Sequence, residues 1–331
     1  MFYQINRFMD DLKSSFDLNV SFDKHYDQII LCGMGGSAIS GDIVSDMCFD
    51  IPNASVRVSR YPVLPAWVDE RTLVVICSYS GNTWETQAMY EDAIERNSRI
   101  IVMTSGGIIE EIAKYRGDLL ICLPEGVQPR QAIGLMIGHI CKILDAATGT
   151  DLEGRVQNSF DNLEYFISDL CNTESNIAKD LANHLHGRIP VVYSDESISS
   201  VSLRWKTQIS ENSKMIAFNC LMPEFNHNEI VGWSASSNGI LAPLILIHES
   251  ESESVRRVTD ACVKVLSNYG VYVYKVKITG DSRIECILKS VILGDFVSYH
   301  LAIKNSVNPV KVRPIKNLKN EINRVNDTKI T

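Results

Sequence analysis

The chain has 331 residues, of which 45% are hydrophobic and 22% charged, and its formal net charge is −8. That length suggests about two domains, and an acidic balance with no Lys/Arg cluster ahead of the C-terminal tail argues against a nucleic-acid partner. Nine cysteines, with no CxxC pair among them, sit largely in apolar runs and read as buried free thiols of a cytoplasmic protein.

An amphipathic helix is expected over residues 1–16, with charges on every turn that rule out a secretory signal. No run of about 18 apolar residues follows, so no membrane span is expected. The first strand is QIILCGMG, followed by a Gly-rich turn and a helix from about Ser37 to Cys48. After the strand SVRVSRY, Pro62 and Pro65 prevent a helix. TLVVICSYS is a continuous apolar run, as for a parallel strand covered on both faces. The helix TWETQAMYEDAIERN, strand RIIVMTS, helix IIEEIAKYR, strand DLLICLP and helix RQAIGLMIGHICKILDAAT complete a first half. Such alternation predicts βαβ units and a parallel sheet.

Residues 151–176 carry no strand signal and read as a linker plus the start of a helix. The pattern then restarts with helix NIAKDLANHLHG, strand RIPVVYSD and helix ISSVSLRWKTQISENSK. FNCLMPEFNHNEIVGW reads as irregular; strand GILAPLILIHE, helix SESVRRVTDACVKVLSNYG, strand VYVYKVKI and helix SRIECILKSVILGDFVSYHLAIKN close the second half. The fold class is therefore α/β, with two mainly parallel sheets flanked by helices, divided into domains at 1–150 and 151–331 as a diverged duplication. An Asn- and Lys-rich tail follows.

Two loops carry the chemistry, each closing a strand and opening a helix: Gly33-Met34-Gly35-Gly36-Ser37-Ala38 and Ser78-Tyr79-Ser80-Gly81-Asn82-Thr83. Ligands of open α/β sheets bind at the carboxyl ends of strands, where helix N-termini present unpaired N–H groups that suit phosphate. Ser78, Ser80 and Thr83 add hydroxyls, and Gly81 lets the backbone approach. Ordinary turn and capping preferences account for one or two of these residues, not the cluster. The first loop also fits G-x-G-x-x-A, but no acidic residue ends the second strand at Val58-Ser59-Arg60-Tyr61, which argues against a dinucleotide.

Taken together, GMGGSAISGD, SYSGNTWET, QPRQAIG, WKTQISENSK, PEFNHNEIVGW and NPV…IKNLK resemble the bifunctional phosphoglucose/phosphomannose isomerase family, collinearly over nearly the whole chain. The resemblance implies a pair of sugar-isomerase (SIS) domains in a homodimer, with sugar phosphates as substrates and neither metal nor cofactor. Gly35, Gly36 and Ser37 would line the sugar site, and Ser78, Ser80 and Thr83 would hold the 6-phosphate. Arg130 would face the reacting carbons, Glu211 would be the base, His227 would open the ring in the partner's site, and Lys319 would be the C-terminal lysine of the site. Aldose–ketose isomerisation independently wants one carboxylate, one fixed cation and a His near neutrality. A blander reading makes Glu211 and Lys214 a surface ion pair at i, i+3. His139, His184, His186, His248 and His300 read as packing or surface residues, without metal-ligand spacing. Competing functions are isomerisation of an amino-sugar or pentose phosphate on the same fold, and a sugar-phosphate sensor without catalysis.

Overall fold

The computed structural model describes residues 1–235 and 239–327. Two short helices, α1 (Phe2–Asn6) and α2 (Phe8–Ser15), replace the single opening helix. They lead into β1 (Ile29–Gly33), α3 (Gly35–Met47), β2 (Arg57–Ser59), β3 (Leu73–Cys77), α4 (Trp84–Glu95), β4 (Arg99–Thr104), α5 (Gly107–Arg116), β5 (Leu119–Cys122) and α6 (Ile133–Thr148). All five strands pair in parallel, in the order β2-β1-β3-β4-β5. Every residue of β1 and β3 is buried, as unbroken apolar runs demand.

The stretch read as a linker is helical. It forms α7 (Leu152–Gln157), capped by the Asp151 carboxylate accepting from the Gly154 N–H at 3.0 Å, and α8 (Phe160–Asn172). Buried Leu163, Ile167 and Leu170 in α8 recur at helical spacing. Next come α9 (Ile177–Leu185), β6 (Ile189–Asp195), α10 (Ser199–Gln208), and then β7 (Phe218–Met222) and α11 (Glu229–Ser234) in the segment expected to be irregular. β8 (Leu241–His248), α12 (Glu253–Asn268), β9 (Tyr274–Ile278), α13 (Arg283–Lys304) and α14 (Arg313–Asp327) complete the described chain, residues 328–331 of the tail lying outside it.

The second sheet runs β7-β6-β8-β9, again all parallel. Both sheets thus place their second strand outside the first and their third on the opposite side. Each has a switch of direction beside its first strand, where ligand crevices form in such folds. One apolar cluster joins the halves, running from Leu12 and Met136 through Leu144 and Leu181 to Trp205 and Phe296. Helix α13 is long and apolar enough to cross a bilayer by composition, yet 78% of its most apolar window is buried inside the protein. Gly294 lets it approach α10 closely: a Cβ there would meet the Trp205 indole at 2.4 Å, and that indole N–H donates to the Ser290 carbonyl at 2.8 Å. All nine cysteines are free; six are buried, and Cys122 is exposed, contrary to the expected burial.

Candidate active site

The two glycine-rich and serine-rich loops lie side by side, because β1 and β3 are neighbours in the sheet. The Ser37 hydroxyl accepts from the Tyr79 N–H at 3.3 Å and so ties them together. Gly81 has φ +64°, and a Cβ there would sit 1.6 Å from the Gly106 carbonyl oxygen, so only glycine fits. Asn82 fixes the loop's exit: its amide donates to the Ser80 carbonyl at 3.0 Å, and its Oδ1 accepts from the Ile108 N–H at 3.2 Å.

Neither α3 nor α4 has a side-chain hydrogen bond capping its start, although Thr83 stands at the N-cap of α4 in extended conformation. The Ser78 hydroxyl is buried and makes no hydrogen bond to the described residues. Ser80 is exposed and Thr83 half-buried. The start of α4, without a side-chain cap and following a loop that carries a buried, unpaired hydroxyl, is a place where an anion is favoured.

The third contributor is a short 3-10 turn, Pro129–Gln131, ahead of α6. It runs directly over Gly36: a Cβ added to Gly36 would lie 2.8 Å from the Arg130 nitrogen and 2.8 Å from the Pro129 carbonyl carbon. Arg130 is therefore set against the N-terminus of α3. Its side chain is 4% exposed, and every nitrogen of its guanidinium has a partner. Nη1 lies 3.2 Å from the Glu211 carboxylate, Nε donates to Asn212 Oδ1 at 2.8 Å, and Nη2 donates to the carbonyls of Pro309 and Val310 at 2.9 and 3.2 Å. Burial pulls this guanidinium down from its ordinary pKa, while the Glu211 carboxylate pushes it back up.

Glu211 and Asn212 are delivered by a local irregularity. Helix α10 passes into a π turn, Ile209–Ser213, which ends at Lys214 in the left-handed region at φ 59°. Consecutive side chains diverge by about 100° on an α-helix. A wider π turn narrows that angle, so two adjacent residues can face one guanidinium; such turns cluster at functional sites. Lys214 does not pair with the Glu211 carboxylate. It donates to the Glu211 main-chain carbonyl, which leaves the carboxylate to Arg130.

Behind the pair stands a buried network absent from the sequence reading. Arg204, 1% exposed, donates to the Arg130 carbonyl at 3.1 Å and to Asp295 Oδ2 at 2.7 Å, and Gln208 donates to Asp295 Oδ1 at 2.7 Å. These residues come from α10 and α13, far from Arg130 in sequence, and no local motif announces their meeting. His227 and Lys319 are exposed, on the 3-10 turn Glu224–His227 and on α14, and neither is among the partners of Arg130.

Beyond the first strand of the second sheet, the protein's own carboxylates take up backbone N–H groups. Asp195 Oδ1 accepts from the Ser197 N–H at 2.7 Å, and Asp46 Oδ2 accepts from the Ser200 N–H at 2.7 Å at the start of α10. His248, read as a packing residue, is buried and bonds Asp195 at 2.8 Å. Burial opposes its charging, but the bond to Asp195, with Cys286 nearby, wins and lifts it from 6.5 to about 9. The same bonds from His248 and Ser197 overcome burial at Asp195 and hold it below its ordinary value.

Residues 174–322 match the model of the bacterial phospho-glucose isomerase C-terminal SIS domain. A bifunctional phosphoglucose/phosphomannose isomerase of Aquifex aeolicus is 35% identical over 90% of this chain and 91% of its own length. One from Caldicellulosiruptor bescii is 32% identical over 99% and 100%. A D-glucosamine-6-phosphate 4-epimerase of Sulfolobus acidocaldarius is 33% identical, over 72% of this chain and 74% of its own. In fold, the C-terminal domain of glucosamine-fructose-6-phosphate aminotransferase from Francisella tularensis superposes with a TM-score of 0.72 at 12% identity, covering 93% of this chain and 97% of that one. This degree of identity over nearly the full length shows that the chain belongs to the bifunctional phosphoglucose/phosphomannose isomerase family.

Proposed function

We propose that the protein is an aldose–ketose isomerase that interconverts glucose 6-phosphate and mannose 6-phosphate with fructose 6-phosphate. The observation that carries this reading is the Arg130–Glu211 pair: a carboxylate 3.2 Å from a buried guanidinium, at the edge of a crevice suited to an anion. Glu211 takes the proton from one of C1 and C2 and returns it to the other, so one carboxylate serves both halves of the reaction. The intermediate is a cis-enediolate, and the negative charge growing on its oxygens falls beside Arg130. A fixed cation in a water-poor site stabilises such charge without reorganising.

Gly35, Gly36 and Ser37 line the sugar, while Ser78, Ser80, Thr83 and the open N-terminus of α4 hold its phosphate. His227 opens the ring from the neighbouring subunit of a homodimer, and Lys319 reaches the site from the tail. Exposed Phe218 on β7 and Val231 on α11, in the elements flanking the His227 turn, support a second copy covering that face. The work divides between residues 1–150, which supply the phosphate cradle and Arg130, and 151–331, which supply the base and the tail. The compartment is the cytoplasm, where free thiols persist.

The test is formation of fructose 6-phosphate from each aldose separately, by protein treated with EDTA. Comparable turnover on both substrates supports the reading. Turnover on glucose 6-phosphate alone removes the mannose activity, and turnover on neither overturns the proposal.

A further inference from the structure

We infer that Asn212 is a positioning residue for the reaction: it holds the Arg130 guanidinium in the one orientation that presents Nη1 to Glu211 and the reacting carbons. The inference rests on the isomerase reading above, but its argument is geometric. Arg130 Nε donates to Asn212 Oδ1 at 2.8 Å. A planar guanidinium has one Nε–H, so fixing it fixes the directions of both terminal nitrogens.

Asn212 is itself fixed. It is fully buried, and its Nδ2 donates to the Ser298 hydroxyl at 2.9 Å, which in turn donates to the Asp295 carbonyl at 2.9 Å. Ser213 Oγ binds the Ser298 carbonyl at 2.8 Å, so residues 212 and 213 are both pinned to α13. This network sets which end of the amide faces Arg130. The orienting group is also neutral. A carboxylate in its place would share the charge of Arg130, which the enediolate needs.

The test is a double-mutant cycle on turnover, with Asn212→Ala made in the parent and in an Arg130→Lys background, which has no Nε–H to orient. In the parent, kcat is expected to fall about 10- to 100-fold with KM changed less than about threefold. In the Arg130→Lys background the same substitution is expected to cost less than about threefold. A merely structural residue would cost the same factor in both backgrounds, and that result, or an unchanged kcat in the parent, overturns the inference. Should Asn212→Ala not fold, Asn212→Leu keeps the volume, lacks the acceptor for the Arg130 Nε–H, and enters the same cycle with the same expectations. A crystal structure of the folded variant reads the orientation of Arg130 without reference to activity. A guanidinium still facing Glu211 in Asn212→Ala refutes the inference, whereas a parent protein without turnover refutes the isomerase reading instead.

Discussion

Gly36→Ala is the smallest change that should disable the site. The added methyl would lie 2.8 Å from the Arg130 nitrogen, 2.8 Å from the Pro129 carbonyl carbon and 3.0 Å from the Arg130 Cα. All three are backbone atoms, so no side chain can swing away. Ordinary contact at about 3.5 Å requires α3 and the 129–131 turn to part by about 0.7 Å. Overpacking of this kind costs about 1–3 kcal/mol, which in a protein of this size lowers Tm by only a few degrees. Catalysis should suffer far more, because Arg130 rides on the displaced turn, and misplacing a catalytic group by even part of an ångström costs about 10- to 100-fold. Fructose 6-phosphate formation and thermal unfolding, measured on the same preparation, separate the two effects. A variant with kcat/KM within twofold of the parent would refute the argument that Gly36 sets the position of Arg130.

Replacing Asp295 by Ala leaves Arg204 and Gln208 buried without their shared acceptor, and should cost about 3–5 kcal/mol in urea unfolding; a loss under about 1 kcal/mol would contradict it. Ser78→Ala removes the buried hydroxyl of the cradle, and KM for the sugar phosphate should rise about tenfold or more with kcat little changed; an unchanged KM would remove Ser78 from phosphate binding. The His248–Asp195 bond raises the histidine's folded pKa above its unfolded value of 6.5, to about 9. Its contribution to stability is therefore full below pH 6.5 and lost as pH rises through about 9. Asp195, held below its usual value, loses its share only on acidification. Unfolding free energies should thus fall from pH 6.5 to 9 more steeply in the parent than in His248→Gln, and parallel curves would contradict this.

The fold was legible wherever strands were unbroken apolar runs. IILCG, LVVIC and RIIVMT are buried almost throughout, and their neighbours in the first sheet followed. What escaped was marked more weakly. β7, FNCLM, is an edge strand with partly exposed residues and an Asn, so it lacks the signal of a covered strand. Helix α8 did carry Leu163, Ile167 and Leu170 at helical spacing, a pattern readable in advance.

At the candidate site, the two loops that close β1 and β3 could be read, because glycines and hydroxyls at strand ends have local causes. Contacts made by tertiary packing could not. Asn212 and Arg204 meet Arg130 across 82 and 74 residues of chain. The pairing of Glu211 with Arg130 instead of Lys214 depends on a π turn that no propensity forecasts.

Whether Glu211 moves the proton is read from Glu211→Gln. The amide keeps the shape and a hydrogen-bonding oxygen for Arg130 but cannot act as a base. Folding should be unchanged, glucose 6-phosphate should still stabilise the variant in a thermal shift, and turnover on both aldoses should fall by about 10²- to 10⁴-fold. Turnover within tenfold of the parent on either substrate would contradict it.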